Sequence, residues 1–169
     1  ELFTGLLSGA TMILAGDAAS RDAEALADLV VRHRVRMLTA VPSLAETLAA
    51  LRPEAAELVD TWFLSGEPLG TSVIAALPDA RVINSYGSSE VAGDVTIWTA
   101  PSADVDRVRI GAPVDGVTAR ILDRHLRPVP DGVTGELHVG GVQSARGYLG
   151  RSAQSAGRFV ADPFGGHGE

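Results

Sequence analysis

Neither cysteine nor lysine occurs anywhere in the chain. Without cysteine there is no disulfide framework, no thiolate metal site and no cysteine nucleophile, a composition that fits a reducing cytosol. Without lysine, all 14 basic residues are arginine, so a step that needs a lysine must draw it from elsewhere. With so much alanine and glycine beside it, this arginine usage reads as nucleotide bias rather than chemistry. No run of about 18 apolar residues is available to span a membrane, and Glu1-Leu2-Phe3 has no signal-peptide layout. No block of like charges forms a tail, and the net charge of −7 argues against a nucleic-acid backbone as partner. His33, His125, His138 and His167 show no ligand spacing.

What is present is a globular composition. With 46% hydrophobic content over 169 residues, the chain can bury a core and forms one domain or a piece of a larger one. The missing initial methionine and the turn-rich Gly165-Gly166-His167-Gly168-Glu169 lead to the expectation that it is part of a longer protein.

The first half alternates strand and helix signals. Ala10 to Leu14 is a short apolar run. Ser20 is positioned to cap a helix with Asp22 and Glu24 in its first turn, Leu26, Leu29 and Val30 at helical spacing, and His33 and Arg34 at its end. Val35 to Val41 reads as a strand. Pro42 stops it, and Ser43-Leu44-Ala45-Glu46 has capping-box spacing for a second helix carrying Leu44, Leu48 and Leu51. Thr61 to Ser65 is the next strand, Ser72 to Leu77 a helix and Arg81 to Ser85 another strand. This βαβ order predicts a parallel sheet with flanking helices over residues 1–95. Beyond it, short strands such as Val117 to Leu122 and Glu136 to Val139, with turns every eight to twelve residues, predict a small antiparallel sheet or barrel over residues 96–169. Ligands of parallel sheets sit beyond the carboxyl ends of the strands. Thr39 to Ser43, Leu64 to Pro68 and Asn84 to Glu90 are therefore expected to converge on one pocket.

The richest segment is Asn84-Ser85-Tyr86-Gly87-Ser88-Ser89-Glu90. An amide can read a base edge, a ring can cover a base or ribose, hydroxyls can meet a phosphate, and a carboxylate can reach Mg²⁺. A polar turn with serine as helix cap explains the same residues.

Gly66-Glu67-Pro68-Leu69, the Asn84 to Glu90 segment, Gly135-Glu136-Leu137-His138-Val139-Gly140-Gly141 and Ala145-Arg146-Gly147-Tyr148-Leu149 stand in an order that resembles the adenylation domain of a nonribosomal peptide synthetase. Arg158-Phe159-Val160 extends the resemblance over essentially the whole chain. The resemblance implies part of the large domain of an adenylate-forming ligase, cytoplasmic, working in secondary-metabolite peptide synthesis. The parent would join an amino acid and ATP-Mg²⁺ into an aminoacyl adenylate, then load the phosphopantetheine thiol of a carrier domain, beside a condensation domain. It further implies that Tyr86 stacks on adenine, Gly66-Glu67-Pro68 and Gly87 border the nucleotide, Asn84 bonds the adenine amino group, Ser89 reaches the α-phosphate and Glu90 holds Mg²⁺. Ser88 stands where the family often has proline and Ser89 where it has threonine. The family's phosphate loop, amine-gripping aspartate, ribose-binding aspartate and late lysine are absent from these residues, so the isolated 169 residues are expected to be inactive. A related acyl-CoA or aryl-acid ligase, or a degenerate nucleotide-binding module, is the alternative.

By the same resemblance the acyl pocket falls on Thr39, Phe63, Ser65, Ser85, Gly93 and Asp94. A large apolar substrate would leave its hydroxyls and carboxylate unpaired, at roughly 1–3 kcal/mol each, so a small polar amino acid, serine or β-alanine-like, is expected. A basic side chain meeting Asp94 is also compatible. Ser65, Thr39 and Ser85 have a plainer reading as strand-end residues bonding their own backbone, Glu67 as a solvated turn carboxylate, and Arg146 as an ion-pair partner. Trp62 and Trp98 read as core rather than base platforms.

Overall fold

The computed structural model of the protein describes residues 2–17 and 19–165; His167 lies outside them. The chain divides into two compact units. The first takes the chain up to Ser85 together with Ile97–Gly111, and the second takes Tyr86–Thr96 and the chain from Ala112 onward. The 95/96 boundary read from the sequence falls inside a strand, β4 (Gly93–Thr99).

In the first unit β1 (Met37–Ala40), β2 (Thr61–Leu64) and β3 (Arg81–Ser88) pair in parallel, with Thr39 opposite Phe63, Phe63 opposite Ile83 and Leu64 opposite Asn84. Between them come α3 (Pro42–Leu51), α4 (Pro53–Ala56) and α5 (Thr71–Ala75), preceded by α1 (Leu2–Leu7) and α2 (Ala23–His33). The apolar run Ala10 to Leu14 forms neither strand nor helix. Helix residues Leu26, Val30, Leu48, Val73 and Ile74 cluster with Trp62, Leu64 and Val82 from one face of the sheet. Trp62, Leu64, Leu48 and Ile74 are all below 2% exposed, each worth about 1.5–3 kcal/mol of apolar burial. A one-residue slip of β2 would send Trp62 and Leu64 to the opposite face, so this burial fixes the register. Trp98 packs against the same cluster, as its core reading expected.

Two expected caps are replaced. Asp22, not Ser20, caps α2: its Oδ1 accepts from the Glu24 and Ala25 amides at 2.9 and 3.4 Å, while the Ser20 hydroxyl donates to the Asp17 carbonyl. A carboxylate directly ahead of the first turn reaches those amides, and a serine two residues earlier does not. The capping box at Ser43 and Glu46 also does not form. Pro42, with φ preset for the first helical position, starts α3 two residues earlier. The N-cap is then Val41, which offers no side-chain bond, and Ser43 lies inside the first turn.

In the second unit β6 (Val117–Leu122) and β7 (Glu136–Gly141) form an antiparallel pair running from Val117 opposite Gly141 to Leu122 opposite Glu136. Asp123 ends β6 by accepting the His125 and Arg127 amides at 2.8 and 2.9 Å. The Arg127 amide above all holds its carboxyl below the usual range. Short β5 (Ala112–Pro113) and α6 (Ser152–Arg158) complete the unit. Among the described residues no helix is long and apolar enough to cross a membrane.

Candidate functional site

In the first unit the carboxyl ends of β1, β2 and β3 lie side by side, and the ladder extends past β2 because the Ser65 amide donates to the Ala40 carbonyl at 3.2 Å. Side chains alternate along a strand. Thr39, Phe63, Ser65 and Ser85 therefore share one face, and Leu64 and Asn84 share the other. Phe63 and Ile83 stand outside the apolar cluster that Trp62, Leu64 and Val82 join, so the first face keeps hydroxyls and one ring away from the main core. On the opposite face the buried Asn84 donates from Nδ2 to the Arg109 carbonyl at 2.7 Å. That bond fixes the amide's orientation, so that an incoming amino group would meet the acceptor end, Oδ1.

The turn Gly66-Glu67-Pro68 follows β2, with Gly66 at φ +87. The Glu67 carboxylate accepts from the Ser43 amide and the Ser43 hydroxyl, both at 3.1 Å. It thus serves amide donors at the start of α3 that no side chain of α3's own cap reaches, and draws the loops after β1 and β2 together. Replacement of Glu67 by alanine will cost about 1 kcal/mol, the scale of a lost helix cap; urea denaturation of the full-length protein, compared with Glu67→Gln, checks it.

The second unit holds the other half of the Asn84 to Glu90 segment. Here β3 does not turn at Ser85 as expected but stays extended through Ser88, followed by a 3-10 turn at Ser89–Val91. The reason is Gly87. A Cβ there would lie 1.6 Å from the Gly93 carbonyl oxygen, so only glycine admits this approach. Ala92 at φ 57 and Gly93 at φ 113 then reverse the chain. Tyr86 is exposed, and Gly93 and Asp94 open β4 at the surface.

Glu90 is held at both its side chain and its backbone. Its carboxylate accepts the Tyr148 hydroxyl at 2.5 Å, and its carbonyl accepts the Ala145 amide at 2.8 Å. The Tyr148 hydroxyl, then its own backbone amide and the Ser88 hydroxyl, hold the Glu90 carboxyl below the usual range; the same pairing raises the Tyr148 phenol. With its folded pKa depressed, Glu90 contributes stability above the unfolded carboxylate pKa and loses it as pH falls through the lowered value. The carboxylate is therefore anionic at neutral pH, as a hard-cation ligand must be. Among the described residues no three His, Cys, Asp or Glu side chains cluster as a metal cage. A single anchored carboxylate fits Mg²⁺, which binds through one or two carboxylates while substrate phosphates and waters complete its shell.

Of the expected site residues, Thr39, Phe63, Ser65, Gly66, Glu67, Pro68, Asn84 and Ser85 fall in the first unit, with Asn84 on the face opposite Thr39, Phe63, Ser65 and Ser85, and Tyr86, Gly87, Ser89, Glu90, Gly93 and Asp94 fall in the second. Sequence reasoning missed the anchoring of Glu90 by Tyr148 and of Asn84 by Arg109. The Ala-Arg-Gly-Tyr motif marked Tyr148, but nothing in it named a partner 58 residues away.

Comparison with known proteins places these features in context. Residues 1–149 match the family described as AMP-binding enzyme. The phosphinothricin tripeptide synthetase PhsB of Streptomyces viridochromogenes is 39% identical over 171 residues, covering 98% of this chain and 14% of that protein. Enterobactin synthase component F of Escherichia coli K12 is 37% identical over 177 residues, covering 97% and 14%. An artificially fused adenylation-PCP di-domain from Klebsiella oxytoca, NpsA-ThdA, shares the fold with a TM-score of 0.75 at 24% identity, over 85% of this chain and 28% of that one. The chain thus spans about one seventh of these curated relatives.

Proposed function

The chain belongs to the AMP-binding enzyme family, and from that premise we propose that it carries the nucleotide-facing and acyl-facing parts of an amino-acid-adenylating domain in a nonribosomal peptide synthetase. The single observation that carries this reading is the chain of groups from Asn84 to Glu90, with an oriented amide, an exposed ring and an anchored anionic carboxylate in family order.

In the proposed reaction a carboxylate oxygen of the amino acid attacks the α-phosphorus of ATP. The acyl–oxygen–phosphorus bond forms as the bond to pyrophosphate breaks. Asn84 accepts the adenine amino group at Oδ1, Tyr86 covers the ring, and the backbone at Gly66 and Pro68 borders the nucleotide. Glu67 is left to hold α3. Gly87 keeps the strand flat where a side chain would obstruct it. Ser89 donates to the α-phosphate. Glu90 would hold Mg²⁺, which when bound would supply charge relief to the phosphate oxygens. The aminoacyl group would then pass to the phosphopantetheine thiol of a carrier domain of the same synthetase.

On the first unit, Thr39, Phe63, Ser65 and Ser85 on one sheet face are the small, mostly polar set we assign to the acyl side chain; the resemblance adds Gly93 and Asp94 of the second unit to that set. The Thr39 and Ser65 hydroxyls facing an apolar substrate would lack a matching group on it, at about 1–3 kcal/mol each, or roughly tenfold in discrimination. The test is amino-acid-dependent ATP–pyrophosphate exchange by the full-length protein. Serine or β-alanine is expected to exceed leucine and phenylalanine at least tenfold, and a preference for either apolar residue would overturn the pocket assignment.

A further inference from the structure

Resting on the reading of Glu90 as the metal carboxylate, we infer that Tyr148 is the positioning residue that aims that carboxylate, and that the 145–149 segment and α6 serve as its bracket.

The geometry is specific. The Tyr148 hydroxyl donates to Oε1 of Glu90, and the Glu90 amide and Ser88 hydroxyl also reach the carboxylate; with about four lone-pair sites on its two oxygens, it keeps acceptor capacity for a cation. The bracket holds Tyr148 in turn. Its amide donates to the Ser155 hydroxyl at 2.8 Å, and that hydroxyl donates to the carbonyl of Arg151, the N-cap of α6, at 3.0 Å. The ring meets Phe159 edge-on, with centroids 5.5 Å apart and planes at 75°. Gly147 at φ +136 lets the segment close on α6, since a Cβ there would sit 2.9 Å from the Ser155 hydroxyl oxygen. The Ala145 amide holds the Glu90 carbonyl as well, so both backbone and side chain of Glu90 are gripped by one short segment. A free carboxylate on a 3-10 turn would sample several rotamers, and each rotamer lost on metal capture weakens it. Hydrogen-bond partners behind a metal ligand typically change metal affinity 10–100-fold.

The experiment measures, by calorimetry on the full-length protein, the factor by which Mg²⁺ tightens ATP binding relative to EDTA. In wild type and in Tyr148→Phe, which keeps the ring and its Phe159 contact, ATP affinity in EDTA is expected to match. The Mg²⁺ factor falls about tenfold in Tyr148→Phe. Ser155→Ala, which removes the bracket's hydroxyl but keeps that of Tyr148, falls in the same direction by less and covers the case in which Tyr148→Phe fails to fold. In Glu90→Gln the factor is largely lost, and adding Tyr148→Phe changes nothing further. A wild-type factor in Tyr148→Phe beside a lost factor in Glu90→Gln overturns the role of Tyr148 alone. Additive losses in the double variant do the same. An unchanged factor in Glu90→Gln removes the metal assignment itself and this inference with it.

Discussion

Glu90→Gln in the full-length protein will lower adenylation about 100-fold at low Mg²⁺, on the scale of losing a cation's principal protein ligand, while folding stays near wild type. The asymmetry follows from what glutamine keeps. Its carbonyl oxygen still accepts the Tyr148 hydroxyl that now reaches the Glu90 carboxylate, and the Ala145 amide still finds the residue 90 carbonyl. What disappears is the negative charge, and with it the attraction for a hard dication. ATP–pyrophosphate exchange across a Mg²⁺ titration, beside a thermal melt, measures both halves. Full activity at low Mg²⁺ would mean that Glu90 only caps the turn after β3.

Gly87→Ala is expected to make the closest backbone clash of any described glycine. Its Cβ would stand 1.6 Å from the Gly93 carbonyl oxygen and 2.4 Å from the Gly93 carbonyl carbon. Both obstacles are backbone, so no rotamer change relieves them. Overpacking with nowhere to relax costs about 3 kcal/mol or more. Here it would also push β3 away from the start of β4 and so displace Tyr86 and Glu90. Hydrogen exchange on the full-length protein should show lost protection at residues 86–96, together with a fall in soluble yield. Native protection in the variant would show that the two strands separate more readily than the glycine contact implies. Gly93→Ala, whose Cβ meets nothing within 4 Å but whose φ of 113 is strained for a side chain, should cost less.

The parallel half of the fold was legible because its signals are local. Leu26 and Val30 recur at helical spacing, Pro42 cuts β1 from α3, and Thr61-Trp62-Phe63-Leu64 is an unbroken apolar strand. β6 is legible as Val117 to Leu122 because the Asp123 carboxylate closes it by accepting the His125 and Arg127 amides. The misses share a cause, which is competition between neighbouring signals. Ser20 and Asp22 both offer a cap, and the nearer oxygen takes the amides. Ser43 with Glu46 has the spacing of a capping box, but Pro42 shifts the helix start and a carboxylate 24 residues away takes the Ser43 donors. The Asn84 to Glu90 segment reads as a turn by its polarity. Only the close approach at Gly87 keeps it extended to Ser88, and that depends on a partner backbone that composition does not reveal. For the site, motif order named Glu90 and Asn84, while their anchors, Tyr148 and the Arg109 carbonyl, come from distant chain segments.

The most direct test of the adenylation reading is a crystal structure of the full-length protein with a non-hydrolysable seryl-adenylate analogue. The account predicts the adenine amino group on Oδ1 of Asn84, the ring against Tyr86 and the seryl side chain among Thr39, Phe63, Ser65 and Ser85. An adenine bound away from Asn84 and Tyr86 would contradict it.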